Sequence, residues 1–176
     1  MTTRRQSGNN FQNWIEKWVL KEFPGAAVHN FKPVLKRYFI PDPVTKKPKQ
    51  IFRSANQDLF NCIDLEIKLP TCGKMIYIQA TLHTSVRKRL DELSVVLWDF
   101  DHQIVQLWQK KEPGRIVVQQ LRYKELEGYS KIILDEAKKQ KIYPVNILEF
   151  YKIGEIQRGK YIPVIGDRLC DEVRAL

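Results

Sequence analysis

Four oxygen-bearing side chains, Asp64, Glu66, Gln79 and Thr81, fall at alternate positions of the stretch NCIDLEIKLPTCGKMIYIQAT, residues 61–81. Oxygen is what a hard divalent cation binds. Mg2+ takes octahedral oxygen coordination and keeps several waters, so a few protein ligands are enough. A metal held this way polarises a phosphate, lowers the pKa of an attacking water and steadies the leaving oxygen. Asp64 offers a carboxylate and Gln79 a neutral carbonyl oxygen. Glu66, or Glu16 from upstream, offers a second carboxylate, and a cation beside the phosphate would stabilise developing charge. The chemistry indicated is phosphodiester hydrolysis with Mg2+ or Mn2+. A sheet face that is merely solvated uses the same residue types, so the pattern has meaning only if the elements bring these groups together.

A hairpin does so on paper. Residues 59–69 and 75–81 read as two strands joined by a turn at PTCGK. Side chains alternate along a strand, so Ile63, Leu65, Ile67 and Leu69 share one face and Cys62, Asp64, Glu66 and Lys68 the other. With the turn centred on Thr71-Cys72 and no bulge, Asp64 faces Gln79, Cys62 faces Thr81 and Glu66 faces Tyr77. Directly opposed side chains lie ~5 Å apart at Cβ.

Around the hairpin the chain reads as one α/β domain over residues 1–176, with no internal repeat, linker or low-complexity segment. Phe11, Trp14, Ile15, Trp18, Val19 and Phe23 predict a helix over 9–23, capped by Asn9 or Asn10 and ended by Pro24-Gly25. A strand follows at 34–40, then a proline-rich basic loop at 41–49. SVRKRLDEL (85–93) predicts a short helix capped by Ser85. Strands are expected at 95–100, 103–109 and 115–121, a helical stretch at 123–140, and two closing strands in VNILEFYKI and KYIPVIG.

Charge narrows the partners. Thirty Lys and Arg against twenty Asp and Glu give +10 and a pI near 9.5, a balance that favours a polyanion. The basic residues are spread over several clusters, among them Lys46 and Lys47, and Arg87, Lys88 and Arg89. No apolar run approaches the ~20 residues needed to cross a bilayer, and no apolar segment follows the basic N-terminus as in a secretory signal. Cys62, Cys72 and Cys170 lack metal-ligand spacing and fit reduced thiols in a cytoplasmic protein.

A helix with a glutamate, a hairpin with Asp on its first strand and (Asp/Glu/Gln)-x-(Lys/Thr) on its second, then a basic helix, resembles the PD-(D/E)XK nuclease superfamily. The segments that carry the likeness are Asp58-Leu59-Phe60-Asn61-Cys62-Ile63-Asp64-Leu65, Ile78-Gln79-Ala80-Thr81 and Arg87-Lys88-Arg89. They are similar to those of the resolvase-like branch, to which Holliday junction resolvases belong. The likeness covers roughly residues 11–110. It implies a restriction-endonuclease-like αβββαβ core, a central mixed sheet with flanking helices, over about 9–121, and a C-terminal extension over about 122–176. It further implies Asp64 as metal-binding aspartate, Gln79 as second ligand, Thr81 at the usual catalytic lysine position and Glu16 as first-helix glutamate. Because Thr81 carries no charge, Lys88 or Arg87 is the nearest substitute cation. The expected function is a metal-dependent DNA endonuclease, with branched or junction DNA among the candidate substrates and, by analogy, a homodimeric state. DNA against RNA stays open, as does a nucleic-acid-binding protein that keeps the fold without turnover.

One rival placement uses the literal string Asp58…Glu66-Ile67-Lys68. On a continuous strand its carboxylates would lie ~26 Å apart, at about 3.3 Å per residue. Only a sharp turn within LFNCID would bring them together, and that segment has no Gly or Pro. His83, two residues past Thr81, is a candidate proton carrier. Asp99 and Asp101 are expected to shape a turn, and Trp98 and Trp108 to pack.

Overall fold

The computed structural model describes residues 4–31, 34–41, 48–55, 59–60, 62–82, 85–124, 132, 135–136, 139–140 and 147–164. Its elements run α1 (Arg4–Glu22), β1 (Ala27–Asn30), β2 (Val34–Pro41), β3 (Pro48–Ala55), β4 (Leu65–Lys68), β5 (Met75–Thr81), α2 (Val86–Ser94), β6 (Gln103–Glu112), β7 (Arg115–Tyr123), β8 (Leu148–Gln157) and β9 (Lys160–Pro163). Seven strands form one mixed sheet in the order β1-β4-β5-β6-β7-β8-β9, and β2 and β3 form a separate antiparallel pair. Every neighbouring pair in the large sheet is antiparallel except β5 and β6. A parallel return needs a crossover, and α2 supplies it.

The period-2 pattern of β5 explains why both helices are needed. Ile76 and Ile78 enter the core beneath α1, with Phe11, Ile15, Trp18 and Val19. Tyr77 enters the opposite core, with Leu93 of α2, Trp98 and Val105. A strand covered on both faces must be apolar on both, so any polar side chain on it has to find a partner inside. Trp18 also seats edge-on against Trp108, with ring centroids 5.6 Å apart.

Helix α1 begins at Arg4, so Asn9 and Asn10 lie within it and cap nothing. Ser85 does cap α2, its side chain accepting the Lys88 N–H at 3.3 Å. Residues 95–100 are not a strand: they lead from α2 back into the sheet, with Trp98 buried and its Nε1 donating to the Leu93 carbonyl at 2.8 Å. Strands β1 and β3 were not expected, and β8 and β9 continue the large sheet beyond β7. The expected helix over 123–140 and the loop over 41–49 fall largely outside the described residues, as do Lys46, Lys47, Asp58, Asn61 and His83. Cys62 is buried and outside any disulfide, whereas Cys72 is disulfide-bonded, against the expectation of three reduced cysteines. Among the described residues no helix is long and apolar enough to cross a membrane.

Candidate functional site

The expected hairpin register holds in its middle and breaks at Asp64. Leu65, Glu66 and Ile67 stand opposite Ile78, Tyr77 and Ile76, as alternation requires. At Asp64 the backbone N–H goes to the Ile78 carbonyl at 3.0 Å instead of continuing opposite Gln79. The Ala80 N–H, left without a ladder carbonyl, is taken by Asp64 Oδ2 at 2.7 Å. The carboxylate therefore substitutes for a backbone acceptor where β4 and β5 part.

The break has a local cause. Leu59 and Ile63 exchange hydrogen bonds at 3.2 and 3.0 Å, and the Cys62 N–H returns to Leu59 at 3.2 Å. This is the sharp turn within LFNCID that the sequence argued against, and it is built without glycine. Phe60 adopts φ 54, a left-handed conformation costing an L residue roughly 1–2 kcal/mol, and its ring meets Trp98 edge-on at 5.6 Å. The expected ladder pairing does not extend to Cys62 and Thr81 for the same reason. The objection to the rival string through Asp58 loses its premise, although Asp58 itself lies outside the described residues.

On the α1 side, Asp64 Oδ1 accepts from Gln12 Nε2 at 2.5 Å. One helical turn further, Glu16 Oε2 accepts from Asn30 Nδ2 at 2.7 Å, and Asn30 pairs with Leu65, next to Asp64. The Phe31 N–H closes the group on the Asp64 carbonyl at 2.9 Å. Gln12 and Glu16 share a stripe because residues four apart stack on one helix face. Glu16 is thus linked to the Asp64 segment through Asn30 of β1.

Gln79 turns the other way. It is 1% exposed, and its Nε2 donates to Glu92 Oε2 of α2 at 3.1 Å. Its Oε1 is buried without a hydrogen-bond donor, as are Gln12 Oε1 and Asn30 Oδ1. Leaving a buried amide oxygen unpaired costs about 1–3 kcal/mol; the Gln12 oxygen belongs to the residue that holds Asp64, whereas the Gln79 oxygen lies on the α2 side of β5. Oxygen atoms lacking donors are the ligand type a hard cation uses. In donor type the α1 side fits a divalent metal: Asp64 supplies charge and Gln12 Oε1 a neutral oxygen.

Other candidates divide clearly. Thr81, 3% exposed, lies one alternation beyond Gln79 on β5. Glu66 faces Tyr77; burial pushes the Tyr77 phenol up, and the Glu66 charge adds to the shift. Arg87 and Lys88 are on the first turn of α2, and both are exposed. Arg89 instead turns inward, its guanidinium 2.5 Å from Glu92 Oε2. The cation brought to Gln79 is therefore Arg89, acting through Glu92, and not Lys88. Sequence reasoning missed Gln12, Asn30 and Glu92. The i,i+4 spacing of Gln12 and Glu16, and the i,i+3 spacing of Arg89 and Glu92, were the only signals.

Among the described residues no three His, Cys, Asp or Glu side chains come together as a metal-binding group. The reason is compositional: the carboxylates Glu16, Glu66 and Glu92 are each held by a different neighbour, and the groups nearest Asp64 are amides. Compared with family models, with curated proteins and with solved structures, the chain matches none.

Proposed function

We propose that the protein is a metal-dependent nuclease acting on DNA, with Asp64 as its charged metal ligand. The observation that carries this reading is the Asp64 carboxylate, held between Gln12 and the Ala80 N–H where β4 and β5 part, with the donor-less Gln12 oxygen beside it. The order of α1, the antiparallel β1-β4-β5 meander, α2 and the parallel strand β6 supports it, being the αβββαβ order that the resemblance implies. The +10 charge suits a polyanionic substrate.

In this reading Asp64 holds the cation, with Gln12 as neutral oxygen donor and Glu16, one helical turn along α1, as the second carboxylate, while Gln79 faces α2. When bound, Mg2+ or Mn2+ supplies charge stabilisation at the phosphate and a more acidic water. Gln12 and the Ala80 N–H fix the rotamer of Asp64. Glu92 fixes that of Gln79 and is itself anchored by Arg89. Arg87 and Lys88, on the turn beside them, contact the phosphate backbone.

A second reading has its own observation. Both Asp64 oxygens already accept hydrogen bonds, and Thr81 supplies no cation. A protein that binds nucleic acid without cutting it would keep this arrangement. Supercoiled, linear and four-way-junction DNA, incubated with Mg2+, Mn2+ or EDTA, separates the two. Cutting that needs metal and vanishes in Asp64→Ala supports the nuclease. Salt-sensitive binding with no cutting in any metal supports the binder.

A further inference from the structure

A cleft of about 800 Å³ runs along the flank of α1 that carries Trp14. Trp14 lies about 200° of helix round from Gln12, so this flank is not the one that meets Asp64. The opposite wall is made by the end of β6 and by two tight turns, Pro113-Gly114 and Arg158-Gly159. The Arg158 N–H donates to the Gly114 carbonyl at 2.9 Å, and Trp18 Nε1 donates to the Gly159 carbonyl at 2.7 Å. The turns and the helix are thereby tied into one wall, a built surface and not a loose seam.

Two features of the cleft have no structural use. Trp14 remains 36% exposed although it extends a stack of rings, with centroids 6.4 Å from both Phe11 and Trp18. Lys110, Lys111 and Arg158 are exposed on the far side and have no acidic partner among the described residues. The acid at the rim, Glu112, already lies 3.7 Å from Arg115. Arg158 also sits at φ 48 beside Gly159 at φ 83, in a two-residue hairpin loop that ordinarily takes Asn-Gly. An arginine held in a left-handed conformation points to a use for its charge.

We propose that this cleft binds an unpaired stretch of nucleic-acid strand, one base lying on Trp14 and the phosphates on Lys110, Lys111 and Arg158. An aromatic platform facing a cationic wall is how single strands are held, because every unpaired base offers a flat face and every linkage a charge. Paired bases are already stacked on one another and cannot cover the indole. An acidic peptide would satisfy the cations and leave Trp14 bare. The volume falls within the ~300–1,000 Å³ of ordinary ligand pockets and admits a strand, not a duplex. Leu82, next after Thr81, lines the same cleft, so a strand lying there passes the end of β5 that carries Gln79. The inference rests on the preceding reading only in taking nucleic acid as the partner.

The test is fluorescence anisotropy of a labelled oligo-dT strand, with a blunt duplex and poly-glutamate as competitors, on the full chain in EDTA. Arg158→Asn is the key variant. Asparagine suits the left-handed position, so folding should improve while binding weakens about five-fold. The log–log salt slope should flatten by about 0.7, the value for one phosphate fewer neutralised on a single strand. Lys110→Glu with Lys111→Glu should weaken oligo-dT binding by about 100-fold, and Trp14→Leu by at least five-fold. Wild-type affinity in both the Arg158→Asn and the Lys110/Lys111 variants would overturn the proposal. So would poly-glutamate or duplex displacing the strand at equal concentration. Asp64→Asn should bind oligo-dT like the wild type. Loss of cutting with this binding intact bears on the metal centre alone, and unchanged cutting with a strand that ignores residue 158 bears on the cleft alone.

Discussion

Replacing Asp64 by alanine and by asparagine separates its two jobs. Its carboxylate accepts the Ala80 N–H at 2.7 Å and the Gln12 amide at 2.5 Å. Alanine removes both, and each hydrogen bond to a charged group contributes about 1.5–3 kcal/mol. Asp64 is half-buried, so water recovers part of this loss, leaving about 3 kcal/mol. For a domain of this size that lowers Tm by roughly 6–12 °C. Asparagine can still accept the Ala80 N–H through Oδ1. Its new NH2 meets the Gln12 NH2, but a flip of Gln12 turns the donor-less Oε1 toward it. The asparagine variant should therefore lose at most about 1 kcal/mol. Urea denaturation in EDTA measures both, and cleavage of supercoiled DNA in Mg2+ measures function. The expected pattern is that both variants lose cutting and only alanine loses stability. Equal stability of alanine and wild type would refute the ladder role of the carboxylate. Full cutting by the asparagine variant would refute its role in metal binding.

Gln12→Glu places a carboxylate against Asp64, so it should destabilise the protein in EDTA, and millimolar Mg2+ or Mn2+ should restore the thermal midpoint if a cation sits there. No metal-dependent shift in a thermal scan counts against the centre. Glu155 accepts from Arg115 twice, at 2.9 and 3.0 Å, and from Lys152 and Gln157, which together hold its carboxyl well below the usual carboxylate range. A depressed folded pKa contributes stability that is full above the unfolded value, near ~4.3, and is lost as pH falls below it. Glu155→Gln should cost about 2 kcal/mol at pH 7, less than the ~3–5 of a fully buried pair because the Arg115 side chain is 43% exposed. The gap from wild type should narrow below about pH 4 in an acid titration. Gly154→Ala would put a Cβ 2.5 Å from the Tyr161 hydroxyl and 2.6 Å from its ring. The variant should cost about 1–3 kcal/mol in chemical denaturation, and much less in a Tyr161→Ala background.

What the residues determined by themselves is whatever depends on neighbours along the chain. The apolar spacing of Phe11, Ile15, Trp18 and Val19 specified the buried face of α1. Strict alternation specified the pairing of Leu65, Glu66 and Ile67 with Ile78, Tyr77 and Ile76, because a one-residue slip would expose a whole face. Ser85 specified the start of α2 through a single local hydrogen bond. Tertiary structure decided the rest. The apolar run at 95–100 reads as a strand, but the parallel return of β6 requires a connection there, and Trp98 is buried from a loop. Phe60 tolerates φ 54 in a segment without glycine, its ring against Trp98. That turn ends the regular ladder at Asp64 and gives its carboxylate to Ala80 and Gln12. Likewise Arg89 reads with Arg87 and Lys88 as one basic cluster for a polyanion, and only the packing of α2 over β5 pairs it with Glu92 beside Gln79. Periodicity fixes which side of an element a residue occupies. Which polar atoms then find each other depends on where distant segments arrive, and on the cost of leaving a buried group unpaired.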